Sequence, residues 1–172
     1  MNTNKTDIRD ALNEILTGRE ERVRIRNRHL SENIFICQVT LNIPGYPKRM
    51  PNDEKAVESL GRAFIDKWTH LPQLEKKITN AAGACWVGFF LGDQAAAKKA
   101  KEIAVNIEEK NPEGRIFDID IIVPEKTITR SDLGLPSRKC LICDRPAKEC
   151  ARDRRHSYEE LRSVIEKLIK NI

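Results

Sequence analysis

NIFICQVTLNIPG, residues 33–45, is the stretch on which the fold turns. β-branched and aromatic residues crowd its first positions, and Pro44 and Gly45 close it, so it predicts a strand running into a turn. Working outward from it, the pattern alternates. Residues 52–68 place Ala56, Leu60, Ala63, Phe64 and Trp68 on one face, which predicts an amphipathic helix with Asn52 as its cap. GACWVGFFLG (83–92) is a short apolar run between glycines and predicts a second, buried strand. DQAAAKKAKEIAVNIEEKN (93–111) has high helix propensity and begins with the capping residue Asp93. GRIFDIDIIVP (114–124) predicts a third strand. The β-α-β-α-β order over 33–124 implies an α+β fold, an α/β sandwich of helices on a sheet, with a ferredoxin-like arrangement as one option.

Two helices flank this core. Residues 7–28 carry Ile8, Leu12, Ile15 and Leu16 at helical spacing, with Asp7 as a candidate cap. That helix ends in REERVRIRNR (19–28), which reads as either a solvated end or a phosphate-facing one. Residues 157–171 carry Leu161, Val164, Ile165 and Leu168 behind Ser157 and Glu160, the signature of a capping box.

The 172 residues suit a single domain, 1–172, large enough to bury a core without disulfides. Hydrophobic residues at 40% and charged residues at 33% exclude a disordered chain. The N-terminus has no apolar signal core, and no run approaches a membrane span. The expected location is cytoplasmic, where clustered thiols bind metal or react more often than they form bridges. The formal charge is +5, and residues 130–172 hold 11 Lys/Arg against 7 Asp/Glu. A basic C-terminal excess calls for an anionic partner, or else makes a solvated basic surface.

Three groups of residues carry candidate chemistry. Asp118 and Asp120, two apart on a strand, point to the same face. Side by side among Phe117, Ile119, Ile121 and Ile122, two carboxylates repel unless something compensates, and Mg²⁺ bridging to phosphate does so. Arg115, three residues ahead, is placed to pair with one of them or to reach a phosphate. A polar strand face or a structural Arg–Asp pair satisfies the same spacing. The second group is Cys140, Cys143, Cys150 and His156, spaced C-x2-C-x6-C-x5-H, a complete Cys₃His set for structural Zn²⁺. A reduced, metal-free loop is the alternative; Pro146 argues against a thioredoxin-like motif. Seven basic residues, Arg138 among them, share that stretch with the thiols, so the thiols would hold a loop whose arginines recognise anions. The third group lies in TLNIPGYPKR (40–49), where Asn42, Lys48 and Arg49 would line a cleft beside the acidic strand, if this is more than a strand-to-helix turn. No GxxxxGK[ST], GxSxG, HExxH or GxGxxG motif is found.

VTLNIPGYPK, GRIFDIDII and LGLPSRKCLICDRPAKECARDRRHSYEEL together resemble the apo-citrate lyase phosphoribosyl-dephospho-CoA transferases, the holo-acyl-carrier-protein synthases of citrate lyase. The resemblance spans nearly the whole chain. It implies transfer of the 2′-(5″-phosphoribosyl)-3′-dephospho-CoA prosthetic group from its triphosphoribosyl precursor to a serine of the apo acyl carrier (gamma) subunit. Diphosphate leaves in this nucleotidyltransferase-type phosphotransfer. The nucleophile then belongs to the partner, in keeping with the missing serine motif. Asp118 and Asp120 are the expected Mg²⁺ ligands and catalytic carboxylates; Arg115, Arg138, Lys48 and Asn42 are the expected substrate contacts. Pterin pyrophosphokinases carry a similar R-x-x-D-x-D strand, whereas the usual nucleotidyltransferase spacing is missing. The competing reading is a zinc-stabilised nucleic-acid-binding module without enzymatic activity, which leaves the two strand aspartates unexplained.

Overall fold

The computed structural model describes residues 3–172. Its elements run α1 (Thr3–Asn27), β1 (Ile34–Leu41), α2 (Asp53–Trp68), β2 (Leu74–Asn80), β3 (Gly83–Leu91), α3 (Gln94–Lys110), β4 (Phe117–Val123), β5 (Lys126–Ile128), α4 (Ala147–Arg152) and α5 (Tyr158–Ile169). The five strands form one sheet in the order β2-β3-β1-β4-β5, and every neighbouring pair is antiparallel. β1 and β2 are therefore parallel with β3 between them, and β3 and β4 are parallel with β1 between them. Both crossovers, through α2 and α3, pack on the same face, as right-handed connections require. The fold is α+β, and this split β-α-β order is compatible with the ferredoxin-like option.

Strand periodicity divides the residues between the two faces. Phe35, Cys37 and Val39 of β1, Trp86 and Phe90 of β3, and Phe117, Ile119 and Ile121 of β4 meet α2 and α3 in the main core. Phe35 stacks on Phe90 at 5.4 Å, and Trp68 closes edge-on to Phe35 at 5.2 Å. Gly61 is where α2 crosses Trp86; a Cβ there would lie 2.4 Å from the indole ring. Gly61→Ala is therefore expected to destabilise the protein by about 1–3 kcal/mol, the cost of overpacking a filled core, despite alanine's better helix propensity. Urea denaturation checks this, and an unchanged midpoint would show that the helix can slide.

The opposite face buries a smaller cluster, Ile36, Ile78, Cys85, Val87, Phe89 and Ile122. α1 lies across part of it. Asn80 holds that helix, donating to the Gly18 carbonyl at 3.1 Å and to Glu21 at 2.8 Å.

Several local expectations change. The apolar stripe of α1 is not its buried face: Ile8, Leu12 and Leu16 are 65%, 54% and 45% exposed, and of that group Ile15 goes under. The helix turns Ile15, Gly18 and Arg22 inward instead. Asn52 sits in the left-handed region and caps nothing with its side chain; the Asp53 carboxylate accepts from the Met50 amide at 3.2 Å and binds Arg49. Asp93 does cap α3, accepting from the Ala96 amide at 2.8 Å, and the Ser157–Glu160 capping box is formed. β2 and β5 add two strands to the predicted three. Residues Pro112–Ile116 form a 3₁₀ turn, so Arg115 precedes the strand rather than lying on it. No helix among the described residues is long and apolar enough to cross a membrane.

Candidate active site

The cleft under α1 begins with the alternation of β4. Phe117, Ile119 and Ile121 face the helices, so Asp118 and Asp120 both face α1. Opposite them on β1 stand Thr40 and Gln38, the register partners of Asp118 and Asp120. The expectation that this strand is buried holds except at the two carboxylates, which open to a cleft of about 380 Å³. Asp118 keeps 54% of its side chain exposed, while Asp120 is half-buried. Burial, and then the charge of Asp118, push the Asp120 carboxyl up to about 6.

Across the cleft α1 supplies Arg19, Arg22 and Arg26, spaced to share one helix face. Arg22 is 7% exposed; it donates to the Gly83 carbonyl at 2.7 Å, and its Nε has no partner. Arg26 donates to Gln38 Oε1 at 3.0 Å, and its Nε is likewise unpartnered. Asn42, Ile43 and Lys48 of the loop after β1 complete the wall. Burial lowers the guanidinium of Arg22 and the ammonium of Lys48 from their ordinary values, the latter with help from Arg19 and Arg162. Cations destabilised in this way, with donors left over, make a site that gains free energy from an anion. The sequence pointed to Asn42, Lys48, Asp118 and Asp120, and the structure gathers them in one cleft. Arg19, Arg22, Arg26 and Gln38 were not singled out individually; the signal for the arginines was their 3–4 residue spacing.

Arg115 and Arg138, the other two expected substrate contacts, lie outside this cleft. Arg115 donates to the Cys140 carbonyl. Arg138 donates to the Phe117 carbonyl at 2.7 Å and pairs with buried Glu108 at 2.6 Å, reaching Asp118 at 3.5 Å. Arg115 thus fastens the C-terminal segment to the 3₁₀ turn before β4, and Arg138 fastens it to β4 and α3. That segment brings Cys140, Cys143, Cys150 and His156 together, their ligand atoms all within 4.8 Å of one another. Cys143 Sγ lies 3.5 Å from Cys150 Sγ and 3.3 Å from His156 Nε2, and none of the thiols is in a disulfide. Ligands at the usual Zn–S distance are about 3.8 Å apart along a tetrahedral edge, so the cluster has the size of a metal site.

A second groove, of about 540 Å³, lies between this segment and the loop after β1, and Asn42 lines both it and the cleft. The turn between them is tight. Gly45 has φ +67°, and Tyr158 packs so that a Cβ on Gly45 would meet its ring at 3.2 Å. Arg162 ties α5 to the same loop through the carbonyls of Pro44 and Pro47.

Comparison with known proteins gives the family. A protein from Citrobacter koseri named "Apo-citrate lyase phosphoribosyl-dephospho-CoA transferase" is 38% identical over 165 residues, covering 91% of this chain and 86% of its own. A "Probable apo-citrate lyase phosphoribosyl-dephospho-CoA transferase" from Vibrio cholerae is 30% identical over 172 residues, covering 94% and 93%. The longer "Protein CitXG" of Leuconostoc mesenteroides subsp. cremoris is 28% identical over 168 residues, 93% of this chain and 35% of its own. With the family's sequence profile matching residues 10–172 as well, the chain belongs to the apo-citrate lyase phosphoribosyl-dephospho-CoA transferase family.

Proposed function

We propose that this chain is a transferase that moves the phosphoribosyl-dephospho-CoA group from its triphosphoribosyl precursor to a serine of the apo acyl carrier subunit of citrate lyase, in the cytoplasm. One observation carries the reading: two carboxylates face three arginines and a lysine across a cleft of about 380 Å³. A polyphosphate with a divalent cation fits such a cleft, because each side supplies the charge the other lacks.

Asp118 and Asp120 would hold Mg²⁺, and the unpartnered guanidinium nitrogens of Arg22 and Arg26 opposite them favour the phosphate oxygens. When bound, it neutralises phosphate charge and fixes the orientation of the triphosphate. The rest belongs to the chain's own residues. The serine hydroxyl of the carrier attacks the α-phosphorus; the new O–P bond forms as the bond to diphosphate breaks. Asp118, the more open carboxylate, is the group a protein-borne hydroxyl can reach and give its proton to. Arg22, Arg26 and Lys48 take up the charge that accumulates on the departing diphosphate, in a nucleotidyltransferase-type phosphotransfer. Arg138 contributes by holding Asp118 and the C-terminal segment in place, and Arg115 by anchoring Cys140. We assign a structural Zn²⁺ to Cys140, Cys143, Cys150 and His156.

Intact-mass spectrometry of the apo carrier subunit, after incubation with this protein, Mg²⁺ and the precursor, tests the reading. The expected gain is the mass of the precursor less diphosphate, and no gain with folded protein rejects it. In the same assay Arg22→Met should lower the rate by about 10²–10³-fold, as expected for one charge-stabilising donor. A change confined to the carrier's KM would instead move Arg22 to the docking surface.

A further inference from the structure

The cleft is too small for the whole donor, which leaves the dephospho-CoA arm to be placed. We propose, resting on the transferase reading, that the second groove binds that arm, an adenosine diphosphate joined to pantetheine, while the cleft takes the triphosphate. The groove's volume of about 540 Å³ falls within the range of small-molecule sites. Leu141, Leu161 and Ile165 give it an apolar floor, and Arg138, Lys139 and Arg154 line it as well. That combination matches an arm with two phosphate charges and a largely apolar tail. Arg154 makes no ion pair among the described residues, so its charge is free for a ligand. The groove and the cleft share Asn42, so a single molecule can lie across both, with the loop from Asn42 to Lys48 between its two ends.

The placement also gives the C-terminal cluster a task beyond stability. Cys140, Cys150 and His156 line the groove themselves, so the pinned segment forms its wall. The arm is then gripped by the C-terminal residues and the reacting phosphates by the sheet and α1, and Arg138 bridges the two regions through Asp118.

Dephospho-CoA itself, which lacks the triphosphoribosyl group, is the probe. Calorimetry should show it binding wild-type protein, and inorganic tripolyphosphate with Mg²⁺ should bind alongside it. Ala151→Trp places an indole in the groove from an exposed position, and Arg154→Asn removes the free charge while suiting the φ of +48° at that site. The first should weaken dephospho-CoA by about tenfold or more and the second by about fivefold. Neither should change tripolyphosphate binding, while Arg22→Met should do the reverse. Dephospho-CoA affinity unchanged in both groove variants, or no binding to wild type, overturns the placement. The mass-transfer assay separates the two ideas: transfer by wild type with groove-independent binding sinks the groove alone, and no transfer sinks the reading beneath it. Circular dichroism and metal content verify that each variant is folded, and Arg154→Asn still decides if the tryptophan variant is not.

Discussion

Asp120→Asn is expected to abolish transfer, by at least about 10³-fold, and at the same time to make the metal-free protein more stable. Both effects come from one environment. The Asp120 carboxyl is raised from 3.8 to about 6, by burial first and by Asp118 second, so its ionisation penalises the folded state. Because the folded value lies above the unfolded one, the stability carried by the protonated form is complete below about pH 4 and is lost as pH rises through about 6. At pH 7 wild type bears the full penalty, and asparagine does not. The expected gain is about 3 kcal/mol, or a rise of about 6–12 °C in Tm, shrinking towards pH 4. With Mg²⁺ and tripolyphosphate present the order should reverse, since wild type gains a ligand that the variant has lost. Scanning calorimetry at pH 4, 5.5 and 7, beside the mass assay, reads all of this. An active variant would remove the carboxylate pair from the reaction, and a less stable one would mean that Asp120 has a structural partner.

The second large effect concerns the Cys₃His cluster. Protein purified without chelator should contain about one equivalent of zinc by elemental analysis. Cys143→Ser should lower that content sharply and destabilise the fold by several kcal/mol, part of the roughly 10–16 kcal/mol that zinc contributes in isolated finger peptides. Transfer should fall with it. The carbonyl of Cys140 receives Arg115, and Arg138 runs from the same segment to Phe117, Glu108 and Asp118. Loss of the proposed metal is therefore expected to loosen the arginine that steadies Asp118, although no cluster ligand lines the cleft beside Asp118 and Asp120. Wild type that carries no zinc when purified without chelator, or whose melting does not respond to chelator, would reject the assignment.

How much of this was visible beforehand differs by element. β1 and β3 were legible as apolar runs because both of their faces are buried, and α2, α3 and β4 because one face meets the core and stamps a period of 3.6 or 2 on the sequence. The aspartate pair was legible for the same reason. β2 was not: Leu74 and Ile78 stand among charged residues, because this edge strand pairs on one side only and ties Glu75 and Lys77 to Arg62 and Glu58 of α2. β5 is three residues long and leaves no pattern. The misread face of α1 is the instructive case. Counting apolar residues selects Ile8, Leu12 and Leu16, but this helix covers a charged cleft, so the residue it buries beside Ile15 and Gly18 is an arginine. Periodicity locates a helix face that meets an apolar core, and it misplaces one that meets a charged cleft.

The side chains that α3 sends to β4 have one more effect. Lys101 donates to the Ile119 carbonyl at 2.7 Å, Glu108 accepts from the Ile119 amide at 2.8 Å, and Arg138 takes the Phe117 carbonyl. Beyond the short β5, the free rim of the sheet thus presents few open backbone groups, and the far rim at β2 carries exposed Lys76 and Lys77. Both features disfavour the addition of another chain's strand at these rims. By occupying backbone groups of Phe117 and Ile119, these polar contacts leave fewer open to a strand of another chain.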